Sequence, residues 1–95
     1  MQLDKLEIEI IALARYIKEN NVVNPILYNP VVDNYLAVIK EYFEGYAGFH
    51  DFYAERKGGK LTIIGYDAGA AFVPYHMPVA VINLEGPLTV NWLVP

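Results

Sequence analysis

The sequence has no cysteine, which excludes disulfide staples, thiolate zinc sites and thiol nucleophiles. A chain of 95 residues hides only roughly two thirds of its unfolded surface on folding. It must therefore be held together by packing and hydrogen bonding alone. Long apolar runs are missing too. The longest stretch without a charge, Ala68 to Leu84, is interrupted by Gly69, Pro74, His76, Pro78 and Asn83, and it falls short of the roughly 20 apolar residues a spanning helix needs. No secretory pattern opens the chain, because Asp4, Glu7 and Glu9 already break up its first nine residues. A soluble protein with no membrane span is expected. Charge is scarce at 19%, against about 25% in an average domain. No lysine or arginine follows Lys60, and only Asp67 and Glu85 are charged beyond it. Such a tail is expected either inside the domain or against another chain.

What is present divides into two halves. LDKLEIEIIALARYIKEN places Leu3, Leu6, Ile10, Leu13 and Ile17 three and four residues apart, the spacing of an amphipathic helix over about 4–20. Ile8, Ile11 and Ala14 are expected to widen that stripe. Asp4 is expected as N-cap, paired with Glu7 in a capping box, with Leu3 against Ile8 as a hydrophobic staple. Asn29-Pro30 supplies the cap and first-turn pair of a second helix over about 30–46. Val32, Tyr35, Leu36, Ile39, Tyr42, Phe43 and Tyr46 form its apolar face, and Gly45 and Gly48 break it.

Beyond residue 48 the chemistry favours strands. LTIIGY, about 61–66, is rich in β-branched residues and bounded by glycines. FHDFYAER, about 49–56, is expected to pair with it across a turn at Gly58-Gly59, whose glycines supply positive φ angles. Phe49, Phe52, Tyr53 and Arg56 also fit one helical face, which keeps a helix open there. VAVINL, about 79–84, and LTVNWLV, about 88–94, flank Glu85-Gly86-Pro87 as a second hairpin with a short loop. Leu88, Val90, Trp92 and Val94 alternate with Thr89 and Asn91, as in a strand with one buried face. VAVINL lacks such alternation and is expected to be covered on both sides. With no repeat or linker, the chain reads as a single α+β domain. Its two N-terminal helices pack on one face of a roughly four-stranded antiparallel sheet built from two hairpins.

Candidate sites are few. In VPYHMP, residues 73–78, Tyr75, His76 and Met77 offer a phenol, an imidazole and a thioether. Neighbours on an extended segment point to opposite sides and do not converge, so a structured bend between Pro74 and Pro78 is the favoured reading. His50-Asp51 is the second polar pair. His50 and His76 could share acid-base work if they met in one pocket. No Ser-His-Asp elbow, phosphate loop or metal-ligand helix motif accompanies them, so no catalytic residue, metal or cofactor is expected. His50, Asp51, Tyr75 and His76 remain candidate ligand-binding residues. Arg56, Lys57 and Lys60 could follow a nucleic-acid backbone, with Tyr53 or Tyr66 nearby stacking on a base. A pI near 4.9 opposes this, and a solvated turn is the favoured reading. Glu41 and Glu44 read as an exposed helix face.

Eight tyrosines bring large rings whose hydroxyls need partners, a combination suited to interfaces. A single helix layer leaves the other sheet face, or its edges, to meet a second copy. A homodimer is expected, with Leu88, Val90, Trp92 and Val94 at the contact, and a further protein partner stays open. The tyrosine- and isoleucine-rich, cysteine-free, weakly charged composition resembles that of small orphan proteins from filamentous viruses of hyperthermophilic, acidophilic archaea. That resemblance implies a viral protein working in the host cytoplasm or virion, stable to heat and acid, with no catalytic residues to carry over. Scarce carboxylates point the same way for acid, since fewer native contacts are lost on protonation. A non-enzymatic, self-associating interaction or structural protein is the leading reading. A small-ligand or metal-binding domain using His50 and His76, weakly hydrolytic at most, comes second. Nucleic-acid binding through residues 56–60 comes third.

Overall fold

A computed structural model describes residues 3–43, 51–67 and 75–93. Helix α1, Leu3–Glu19, buries Leu6, Ile10, Leu13, Ala14 and Ile17 on the face the spacing predicts. Its first turn departs from expectation. The helix already runs at Leu3, which puts Asp4 inside the first turn instead of at the cap. Leu3 and Ile8 are both exposed, so they form no staple, and Ile8 does not widen the buried stripe.

Helix α2, Pro30–Tyr42, starts as the Asn-Pro pair predicts. The Asn29 side chain accepts from the amides of Val31 and Val32 at 3.0 and 3.2 Å, satisfying two of the donors a helix start leaves open. Val32, Leu36, Ile39 and Phe43 are buried, with Tyr35 and Tyr42 half-buried at the margin. The helix ends at Tyr42, short of the end expected near 46, where the Phe43 amide is shared between the Ile39 and Lys40 carbonyls at 3.2 and 3.1 Å; Tyr46 lies outside the described residues.

Four strands follow: β1 Asp51–Lys57, β2 Lys60–Asp67, β3 Tyr75–Asn83 and β4 Val90–Trp92. They form one antiparallel sheet in the order β1-β2-β3-β4. The fold is α+β, with two helices against a four-stranded antiparallel sheet. Asp51–Lys57 is a strand and not the alternative helix. Of the turn glycines only Gly58 has positive φ, at 60°, as a two-residue II′ hairpin loop requires. Helix α1 packs on α2 and touches β4, while α2 touches β1, so the helices cover one sheet face. Phe43 and Phe52 meet beneath them with ring centroids 4.9 Å apart.

Three strand expectations are corrected. VPYHMP is no bend where it is described, because Tyr75–Pro78 belongs to β3. The register moves from Ile63 opposite Ala80 to Ile64 opposite Pro78, so Val79 is an extra residue, a β-bulge. The bulge turns both Val79 and Ala80 into the core, which accounts for the missing alternation. Pro78 lies beyond the described pairing of β3 with β4, in which Ala80 stands opposite Trp92 and the Leu93 amide bonds to the Val79 carbonyl at 2.9 Å. Finally, β4 is shorter than 88–94 and its loop longer than three residues. The Leu84 amide bonds to Gly59 O (2.7 Å) and the Glu85 amide to Asn83 Oδ1 (2.9 Å), drawing the chain away from the ladder before Pro87. No described helix is long and apolar enough to cross a membrane.

Candidate functional site

Strand parity decides what the face opposite the helices displays. Phe52 and Ala54 point into the core, so Asp51, Tyr53 and Glu55 point away from it. Asp51 stands opposite Tyr66, and Tyr66 opposite His76, in one row across three strands. Tyr53 and Pro78 flank Ile64 in the next row.

The row is joined by polar and ring contacts. Tyr66 Oη donates to Asp51 Oδ2 at 3.1 Å. Tyr53 Oη and His76 Nδ1 lie 3.2 Å apart, the direction of that bond following the imidazole tautomer. The rings of Tyr66 and His76 are nearly parallel, 12° apart with centroids at 5.4 Å. Tyr53 tilts against both at 5.8 Å. Burial pushes the Tyr66 phenol above its ordinary value of 10.0, and the Asp51 charge and hydrogen bond push it the same way. Asp51 Oδ1 accepts from the Phe52 amide at 2.9 Å. Beside Asp51 is an open hollow of about 310 Å³, lined by Asp33, Leu36, Ala37, Lys40, Asp51 and Phe52.

Of the ligand-binding candidates, Asp51 and His76 are thus brought into one row, with Tyr66 between them. His50 lies outside the described residues, and of Tyr75 only its place in β3 is described. Sequence reasoning missed Tyr53 and Tyr66 as members of this cluster. The available signal was parity: Asp51, Tyr53, Tyr66 and His76 converge once the hairpin register is known. Among the described residues no group of three or more His, Asp or Glu side chains could hold a metal ion.

The basic cluster is dispersed. Arg56 points to the helix side, donating from Nη1 to the Val22 carbonyl at 3.0 Å and from Nε to Gly58 O at 3.3 Å. Lys57 is paired with Glu55 at 3.1 Å on the surface. Lys60 is exposed opposite Lys57 at the turn.

Leu88, Val90 and Trp92 are half-buried and pack against the chain's own core, and Trp92 Nε1 donates to Glu7 Oε1 at 3.0 Å. Val94 lies outside the described residues. Among the described residues Leu93 after β4 and Leu3 and Ile8 on α1 are exposed, and a group of exposed apolar residues lies in the loop before α2. Between the helices, Val23, Ile26, Leu27 and Tyr28 are 62%, 63%, 63% and 86% exposed, and Val31 continues the patch onto α2. The loop beneath them is held by Val22 N to Ile17 O (3.0 Å) and Leu27 N to Asn24 O (3.1 Å), by Arg56, and by buried Pro25.

No protein-family model, curated protein or solved structure matches the chain.

Proposed function

We propose that this chain is a non-enzymatic interaction protein whose partner is a second copy of itself, joined through loop 20–29 and the start of α2. The observation that carries this reading is the exposure of Val23, Ile26, Leu27 and Tyr28 on one short tethered loop. With Val31 they present on the order of 500 Å² of apolar surface, at the upper end for the largest patch of a monomer. Two copies face to face would cover about 1,000 Å², the lower bound of a specific interface.

Charge argues for a copy of the same chain over other occupants. About a two-fold axis the same patch faces itself, so any charged residue near the axis would meet its own kind. From Asn20 through Val32 there is no charged residue, and Arg56, which reaches the loop from β1, is held by the Val22 and Gly58 carbonyls. The loop's hydrogen bonds hold it in place before contact, which reduces the ordering entropy lost on association. Leu88, Val90 and Trp92 pack against the chain's own core, which supports the loop over these three side chains as the contact.

Light scattering after size exclusion tests the reading, with particles of twice 10.7 kDa expected for the wild type. Leu27→Asp should return the particle to the single-chain mass with an unchanged circular dichroism spectrum. A charge buried without a partner costs about 3 kcal/mol or more, and each copy would carry one. A wild type at the single-chain mass at millimolar concentration, or a dimer untouched by Leu27→Asp and Ile26→Asp, would refute the proposal.

A further inference from the structure

On the opposite side of the molecule, we infer that the row Asp51, Tyr66, His76 with Tyr53 is a binding site for a guanidinium group, the side chain of an arginine. The inference does not rest on self-association, since it uses the sheet face and not the loop.

Its first support is how the hydroxyls are engaged. Tyr66 gives its proton to Asp51. The Tyr53 hydroxyl lies 3.2 Å from His76 Nδ1, donating or accepting according to the imidazole tautomer. The exposed Asp51 carboxylate thus stands at the edge of the half-buried Tyr66 ring, with the Tyr53 ring tilted beside it. Ring faces are negative at their centres, and a carboxylate held at their edge adds a full charge.

The second support is that Asp51 is in no ion pair among the described residues, while Asp33 lines the hollow beside it. Lys40, in the same hollow, offsets one of the two carboxylates. The nearest cations on the sheet face, Lys57 and Lys60, sit at the far end of the β1–β2 hairpin, and Lys57 is already paired. The row is therefore complementary to a cation and repels a phosphate, which sets arginine ahead of a nucleic-acid strand stacking on the same rings.

Guanidinium is preferred over ammonium for geometric reasons. It is flat, weakly hydrated, and carries N–H donors in its plane, so it can lie on a ring while bonding a carboxylate at the ring's edge. An ammonium group on so exposed a surface would keep its water. Two sources share this chemistry, free arginine and an arginine within a partner polypeptide.

The test is a titration of the folded full-length chain, followed by amide and ring chemical shifts. The probes are free arginine, the blocked peptide acetyl-Gly-Arg-Gly-amide, its lysine counterpart and a single-stranded oligonucleotide. Saturable shifts confined to Asp51, Tyr53, Tyr66 and His76 are expected with an arginine probe, several-fold weaker with lysine. Binding of the peptide but not the free amino acid, whose own carboxylate is repelled by Asp51, points to a polypeptide partner; equal binding points to a free metabolite. Asp51→Asn should weaken binding tenfold or more, and Tyr66→Leu likewise, while Tyr66→Phe, which keeps the ring face, should retain most of it. No saturation with either arginine probe, undiminished binding by Asp51→Asn, or tighter binding of the oligonucleotide would each overturn the inference.

Discussion

Two residues show how single positions govern this molecule. Gly58 turns the β1–β2 hairpin with φ at 60°, a region an L side chain enters at a penalty of about 1–2 kcal/mol. Nothing lies within 4 Å of a Cβ added there, so backbone strain alone sets the cost. Gly58→Ala is expected to lower the melting temperature by about 4–8 °C per kcal/mol for a chain of this size. A melt unchanged within error would show the turn accepts another geometry. For Gly59→Ala the three nearest atoms all belong to the Glu85 side chain, from 2.5 Å; that side chain is exposed and can swing aside, so a smaller loss is expected. Tyr66 gives the second case. Burial first, then Asp51, hold its phenol above 10.0, so the folded chain keeps a proton that the unfolded chain releases. The resulting stability is complete below pH 10 and declines as pH rises from there through the folded value. Carbon-13 labelled tyrosine spectra should show Tyr66 ionising above the ordinary range. Asp51→Asn should bring it down only part of the way, since burial remains. Ionisation at or below the ordinary value would contradict the Asp51 contact.

At the scale of elements, the Asn29 cap separates local from tertiary stabilisation. Its side chain takes two amides that no other group reaches, so Asn29→Ala should destabilise the fold by about 1 kcal/mol. Asn29→Asp should restore most of that, because a carboxylate accepts the same bonds and suits a helix start. Chemical denaturation of the three proteins checks both; equal midpoints would mean packing alone fixes where α2 begins. This cap was legible because Asn-Pro encodes it in adjacent residues. Likewise the Leu6, Ile10, Leu13, Ile17 stripe and the Gly58-Gly59 turn carry their signals within a few positions. Other features were set by remote partners. Asp4 looked like a cap on local grounds, yet α1 already runs at Leu3. VAVINL lost its alternation to a bulge fixed by pairing with Ile63 and Ile64. His76 seemed isolated because its neighbours Tyr66 and Tyr53 come from other strands, and register cannot be read from the HMP segment itself.

The whole molecule separates its chemistry onto opposed surfaces, with the helices over one sheet face, an aromatic row on the other, and an apolar loop at the helix junction. Among the described residues beyond Lys60, Leu61, Ile63, Val79, Ala80, Ile82 and Leu84 are buried by the chain's own elements. Within the uncharged stretch from Asn20 to Val32, Val23, Ile26, Leu27, Tyr28 and Val31 are left exposed. If two copies meet there, folding and association are linked, and the folded state gains stability with concentration by mass action. The melting temperature of the wild type should therefore climb as protein concentration is raised a hundredfold, while that of Leu27→Asp stays level. Added sodium chloride should leave this climb intact, because no charge pair is involved to be screened, and sulfate should steepen it by strengthening apolar burial. A concentration dependence that vanishes in salt would assign the contact to charged surface such as Glu55 and Lys57. One that persists in Leu27→Asp would move it to another apolar surface, the free edge of β4 beside exposed Leu93 being the next in line.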